Sequence, residues 1–230
     1  ERRLCKPMSH EPMFNIEERA PIVLGGVLIA IHTIVSFGPQ VFARFLRGLS
    51  VLVPMGLENL PPARQIFSLI GSAFVHTSWT HVLVVVGMMV AFSVVTLRGI
   101  RAQQSSLEEA GKTPRLSAEF LFVAIFLAGS IIGGLFQWGW WAASNTPNGF
   151  AMGAMPSVAA LFATAAWAMG GRERLVKYGG GWVLANALLY IAQPLFGPVA
   201  WASQIGGYVA GALLAPYLVR PFSSGFSITR

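Results

Sequence analysis

The sequence predicts an all-α, polytopic membrane protein, and three observations carry that prediction. Apolar runs close to the ~20 residues that cross a bilayer recur from Ala20 to Leu218. Hydrophobic residues make up 54% of the chain and charged ones 11%, whereas soluble domains carry about a quarter charged residues. Lys and Arg collect in alternate connections between the runs. One transmembrane domain over 20–219 is therefore expected between a polar tail at 1–19 and a second tail at 220–230.

Composition also narrows the chemistry. The net charge of +7 would suit nucleic acid, but the basic residues fall in short connections, so they read as topology determinants facing anionic lipid and no nucleic-acid partner is expected. A lone Cys5 excludes an intramolecular disulfide. The chain has no Asp, which removes a common ion and metal ligand, and neither a metal nor another cofactor is expected.

Taken in order, residues 1–19 mix Arg2, Arg3, Lys6 and Arg19 with Glu1, Glu11, Glu17 and Glu18, and Met8 offers an alternative start. Ala20 to Phe37 has no small-residue cleavage site after it and reads as a retained first span. In the stretch 38–72, Phe42, Phe45, Leu46 and Leu49 recur at helical spacing with Arg44 and Arg47 elsewhere on the wheel, as in a helix lying in the membrane interface. Pro54, Pro61 and Pro62 interrupt it, so a structured, partly embedded loop is expected.

The second span is expected at His81 to Leu97, entered through Phe74, His76, Thr77 and Trp79, followed by a charged loop over 98–119 in which Glu108, Glu109 and Lys112 form a solvated helix. His76 and His81 stand five apart, about 140° around a helix, which is not a zinc-binding spacing. His76, Trp79 and His81 are instead expected to anchor the loop to the helix, with His81 hydrogen-bonded to it because an imidazole at membrane depth needs a partner. His32 reads as a core histidine. Phe120 to Trp141 is the third span, with Gly129, Gly133 and Gly134 as a close-approach face and Trp138, Trp140 and Trp141 as an aromatic belt.

A polar turn with Asn145, Pro147, Asn148 and Gly149 leads to the fourth span, Gly153 to Met169, which stops at a basic loop over 170–178. Trp182 to Phe196 and Val199 to Leu218 are the fifth and sixth, joined at Gly197 and Pro198. Gly153 and Ala154 open the fourth helix, and Gly206, Gly207 and Gly211 bare a face of the sixth, so these two are expected to touch at small residues. Gln137, Asn186, Gln193 and Gln204 are candidates for interhelical hydrogen bonds. Met88, Met89, Met152, Met155 and Met169 read as adaptable packing. Thirteen Lys and Arg fall on the side of both tails, against Arg44, Arg47 and Arg64 on the other. That asymmetry places both termini in the cytoplasm, most simply at a bacterial inner membrane.

Three segments resemble the rhomboid family of intramembrane serine proteases: Phe74 and His76 followed by Trp79 and His81 at the second span, Gly153-Ala154-Met155-Pro156 at the fourth, and Gln204 ahead of Gly206, Gly207 and Gly211 at the sixth. The resemblance spans about 20–219 and implies a six-helix bundle with a long, partly embedded first loop. It also implies that a helix 4 serine attacks, a helix 6 histidine takes its proton, and a helix 2 histidine and asparagine hold the oxyanion. In this chain those positions read Met155, Gln204, His81 and Val85, and only His81 matches the family. A thioether cannot be deprotonated into a nucleophile and an amide is no base near neutral pH. The first-loop Trp-Arg pair is Phe67-Ser68. Ser157 is the fallback nucleophile for an active protease, but it is turned about 200° from residue 155, and no histidine follows His81.

The reading is a catalytically inactive rhomboid-like protein that binds transmembrane segments of other membrane proteins, as a subunit of a larger complex or an assembly and quality-control factor. Lipids are its other expected partners. A transporter is disfavoured, because the spans show no inverted repeat and almost no intramembrane charge.

Overall fold

The structure, a computed structural model, describes residues 19–55, 60–146, 149–193 and 199–222. Among these it is all-helical: α1 (Arg19–Phe37), α2 (Gln40–Ser50), α3 (Pro62–Gly71), α4 (Trp79–Glu109), α5 (Ala118–Ser144), α6 (Met155–Ile191) and α7 (Trp201–Leu218), with a 3-10 turn at Ser72–Phe74 ahead of α4. α1, α4 and α5 are long and apolar enough to cross a membrane. Cys5, Met8, Pro147, Asn148, Phe196, Gly197 and Pro198 lie outside the described residues.

Helix ends follow local chemistry. Ser78 caps α4 by accepting the His81 N–H, and Ser117 caps α5 by accepting that of Phe120, each satisfying an orphan donor of the first turn. Asn145 closes α5 in the left-handed region at φ 52°. α2 presents Phe42 and Phe45 outward beside Arg44 and Arg47. Its last carbonyls are satisfied from α3, where the Arg64 guanidinium donates to Gly48 at 2.7 Å and Val51 at 2.8 Å.

Two connections differ from the expected layout. The charged stretch after Leu97 is largely helix, for α4 continues unbroken to Glu109 and takes in Glu108. Arg98, Arg101, Gln103 and Gln104 are good helix formers, and the helix ends at Glu109, two residues ahead of Gly111 with its φ of +73°. The basic loop at 170–178 is likewise absent: α6 breaks only at Gly170 and Gly171, the latter at φ +61°, and is helical again from there to Ile191. Arg172, Arg174 and Lys177 therefore ride on the second half of α6.

The first half of α6 is the centre of the bundle. Ala159, Ala160, Leu161, Ala163 and Ala166 on it are wholly buried. Glycines bring its neighbours to backbone contact. A Cβ on Gly129 of α5 would stand 2.7 Å from Ala160 Cβ, and one on Gly133 2.6 Å from Pro156 Cβ. From α7, Gly207 and Gly211 rest directly on the backbone of Pro156 and Ala160. Gly206 turns instead to α5, where a Cβ would meet Phe136 Cβ at 2.6 Å. α4 joins through a buried hydroxyl pair, Thr96 Oγ1 to Thr164 Oγ1 at 3.0 Å. Close approach of this kind maximises dispersion contact, which drives helix association where hydrophobicity cannot.

After α7 the chain turns back as a strap. The Arg220 N–H donates to the Gly99 carbonyl at 3.0 Å and the Phe222 N–H to the Ala168 carbonyl at 2.8 Å. Trp167 Nε1 in turn donates to the Val219 carbonyl at 2.9 Å. Gly99 leaves room for Val219, whose Cγ1 would lie 2.5 Å from a Cβ there. The break at Gly170 and Gly171 frees the preceding carbonyls of α6, and the strap satisfies one of them. Packed structure thus reaches Phe222.

Candidate functional site

The start of α6 carries no side-chain cap of its own, so its approach segment is fixed from outside. Ala151 and Leu52 exchange two backbone hydrogen bonds, at 3.0 and 2.9 Å. Gly153 N–H donates to the Ser72 carbonyl at 2.8 Å, and Ala154 N–H to His76 Nε2 at 3.3 Å. Leu52 and Ser72 are themselves held against α5, where Trp138 Nε1 donates to the Val53 carbonyl at 2.8 Å and Ser130 Oγ to the Leu69 carbonyl at 2.6 Å. Gly153, at φ +106°, lies so close to His81 that a Cβ would fall 2.5 Å from its Cε1. Only glycine fits there.

This arrangement leaves a cavity of about 210 Å³, and His81, Met155 and Gln204 all line it, together with Thr77, Ser130 and Ser203. α4, α5, α6 and α7 each contribute. Val85 is fully buried away from the cavity. Ser157 is also fully buried, and its Oγ has no hydrogen-bond partner among the described residues. It faces α5, where a Cβ on Gly129 would meet its Cα at 2.8 Å, and it does not line the cavity.

Of the hydroxyls that reach the cavity, those of Ser130, Ser203 and Thr77 are engaged, and that of Ser72 makes no hydrogen bond among the described residues. Ser130 donates to Leu69 as above, and Ser203 Oγ donates to the Ala200 carbonyl at 2.6 Å. Thr77 Oγ1 pairs with His81 Nδ1 at 3.1 Å, a contact across one turn that orients the imidazole. A second local pair, Ser36 with His32, is longer at 3.4 Å. No carboxylate lines the cavity to back His81 as an orienting group backs a catalytic base. Among the described residues no group of three or more His, Cys, Asp and Glu could hold a metal.

The structure brings His32 to the site, which spacing alone did not suggest. The His32 and His76 rings stand 6.4 Å apart and those of His76 and His81 5.1 Å, both edge-on, while Trp79 packs on His32 at 4.8 Å and on Phe37 at 6.1 Å. His76 lies in the connection before α4 and is 1% exposed. Burial, reinforced by the neighbouring His81 and then His32, pushes its pKa down to about 3, so it is neutral and accepts the Ala154 N–H.

The polar side chains named from sequence separate in role. Gln137 Oε1 accepts the Ser203 N–H at 3.2 Å and so caps α7 from α5. Asn186 turns to its own helix, donating to the Trp182 carbonyl at 2.9 Å. Trp182 Nε1 donates to the backbone carbonyl of Gln204 at 3.1 Å, but no hydrogen bond reaches the Gln204 amide among the described residues. Comparison of the chain with protein-family models and with curated proteins finds no match.

Proposed function

We propose that this is a six-span membrane protein on the rhomboid plan, without protease chemistry, that holds transmembrane segments of other membrane proteins. It acts as an accessory subunit of a larger membrane complex or as an assembly and quality-control factor. The spans are α1, α4, α5, the two halves of α6, and α7, with α2 and α3 as the embedded first loop and both termini in the cytoplasm of a bacterial inner membrane. Lipid covers the outward apolar side chains, such as Leu83, Val84, Leu184 and Leu188.

One observation supports the reading above others. The positions matching the family's nucleophile and base, Met155 and Gln204, line one cavity with His81, so the geometry of a site is present where the reactive atoms are not. Small residues that let α7 rest on α6 remain in full, which is what a bundle retained for binding requires. Ser157 gives no support to an active protease, being buried outside the cavity.

Two measurements test this. A fluorophosphonate probe should leave the purified protein unlabelled, and labelling abolished by Ser157→Ala would overturn the inactive reading. The full chain in nanodiscs should bind a fluorescent single-span peptide saturably, and binding no stronger than to empty nanodiscs would remove the holding function.

A further inference from the structure

Gln204 is 7% exposed, lines the cavity, and makes no side-chain hydrogen bond among the described residues. Its amide is thus held at the cavity wall with its hydrogen-bonding capacity unused by the protein. The cavity is partly open to the exterior. Its remaining hydrogen-bonding capacity is specific, because Ser130 and Ser203 have spent their hydroxyl protons on backbone carbonyls and Thr77 is engaged by His81 Nδ1. What is left is the Gln204 amide, with one acceptor oxygen and two donor hydrogens, the second ring nitrogen of His81 and the Ser72 hydroxyl.

We propose that this cavity takes the side-chain carboxamide of an asparagine or glutamine carried by a membrane-spanning segment of a partner protein. The inference rests on the holding function above and names what is held. A carboxamide matches Gln204 reciprocally, donor to acceptor in both directions. No Asp, Glu, Lys or Arg lines the cavity, so a carboxylate or ammonium would enter it without a counter-charge, which disfavours both. An alkyl side chain would leave Gln204 unpaired. At membrane depth the partner's own amide has nowhere better to go, which makes the pairing mutual.

The test uses the full chain in nanodiscs and leucine-based single-span peptides, dilute enough not to self-associate, carrying Asn, Asp or Leu at each of four successive central positions. In the best register the Asn peptide should bind about fivefold tighter than its Leu counterpart, equivalent to about 1 kcal/mol, with no such gain for Asp at neutral pH. The preference should disappear in Gln204→Leu, and in Gln204→Met if the leucine variant does not assemble. Equal binding of Asn and Leu peptides, an equal gain for Asp, or an Asn preference surviving the Gln204 variants would overturn the assignment while leaving the holding function standing. Binding by none of the peptides would overturn both.

Discussion

Gly207 of α7 lies against the carbonyl of Pro156 so closely that the first carbon of any side chain would overlap that oxygen. Neither partner can yield, since both are helix backbone. Gly207→Ala should therefore destabilise the bundle by about 1–3 kcal/mol or more, read as a lower melting temperature in detergent. Gly180→Ala is the control, for nothing lies within 4 Å of a Cβ there. Alanine is the better helix former, by up to about 1 kcal/mol, so this variant should match or exceed the parent.

His76 makes stability depend on pH in a stated direction. Its pKa is near 3 in the fold against about 6.5 when unfolded. The unfolded chain takes up a proton as pH falls below about 6.5, while the folded one resists until near 3, so stability is full above that window and declines downward through it. His76→Gln, which keeps an acceptor for Ala154, should flatten the dependence. A melting temperature that falls between pH 6.5 and 4 just as steeply in the variant would refute this origin.

Gln137 satisfies a donor in the first turn of α7. Gln137→Leu keeps the bulk and leaves the Ser203 N–H unpaired in the bundle interior, at a cost of about 1–3 kcal/mol. Thermal unfolding should register the loss, and an unchanged midpoint would mean that Ser203 finds another acceptor.

The strap after α7 should matter more than its length suggests. Ending the chain at Leu218 removes the N–H groups that Arg220 and Phe222 give to Gly99 and Ala168, and empties the space that Val219 fills beside Gly99. Limited proteolysis should then cut first near Gly170 and Gly171. Protection there equal to that of the full chain would show that the break is stable unaided.

Helix positions were legible because hydropathy and length decide them, and the small residues of α6 and α7 marked where backbones meet. Helix ends were less so. α4 outruns its apolar stretch because Arg and Gln favour a helix in water as well as Leu does in lipid, so hydropathy falls at Leu97 while the helix continues. The break in α6 takes two residues where a longer loop was expected, because Gly171 turns the chain at a φ of +61° that favours glycine. At the site, sequence reading had singled out His81, Met155 and Gln204, and the structure sets all three around one cavity. The approach of His32 to His76 joins elements far apart in sequence, and nothing in the local pattern of either encodes it.

The strap also sets an order of events during synthesis. Gly99 and Ala168 leave the ribosome well before Arg220 and Phe222, so those two carbonyls wait for N–H groups that are not yet translated. For Ala168 the interval spans synthesis of the second half of α6 and all of α7. Closure of this end of the bundle therefore waits for the last helix to be made, and a nascent chain lacking residues 219–222 has no means of latching it.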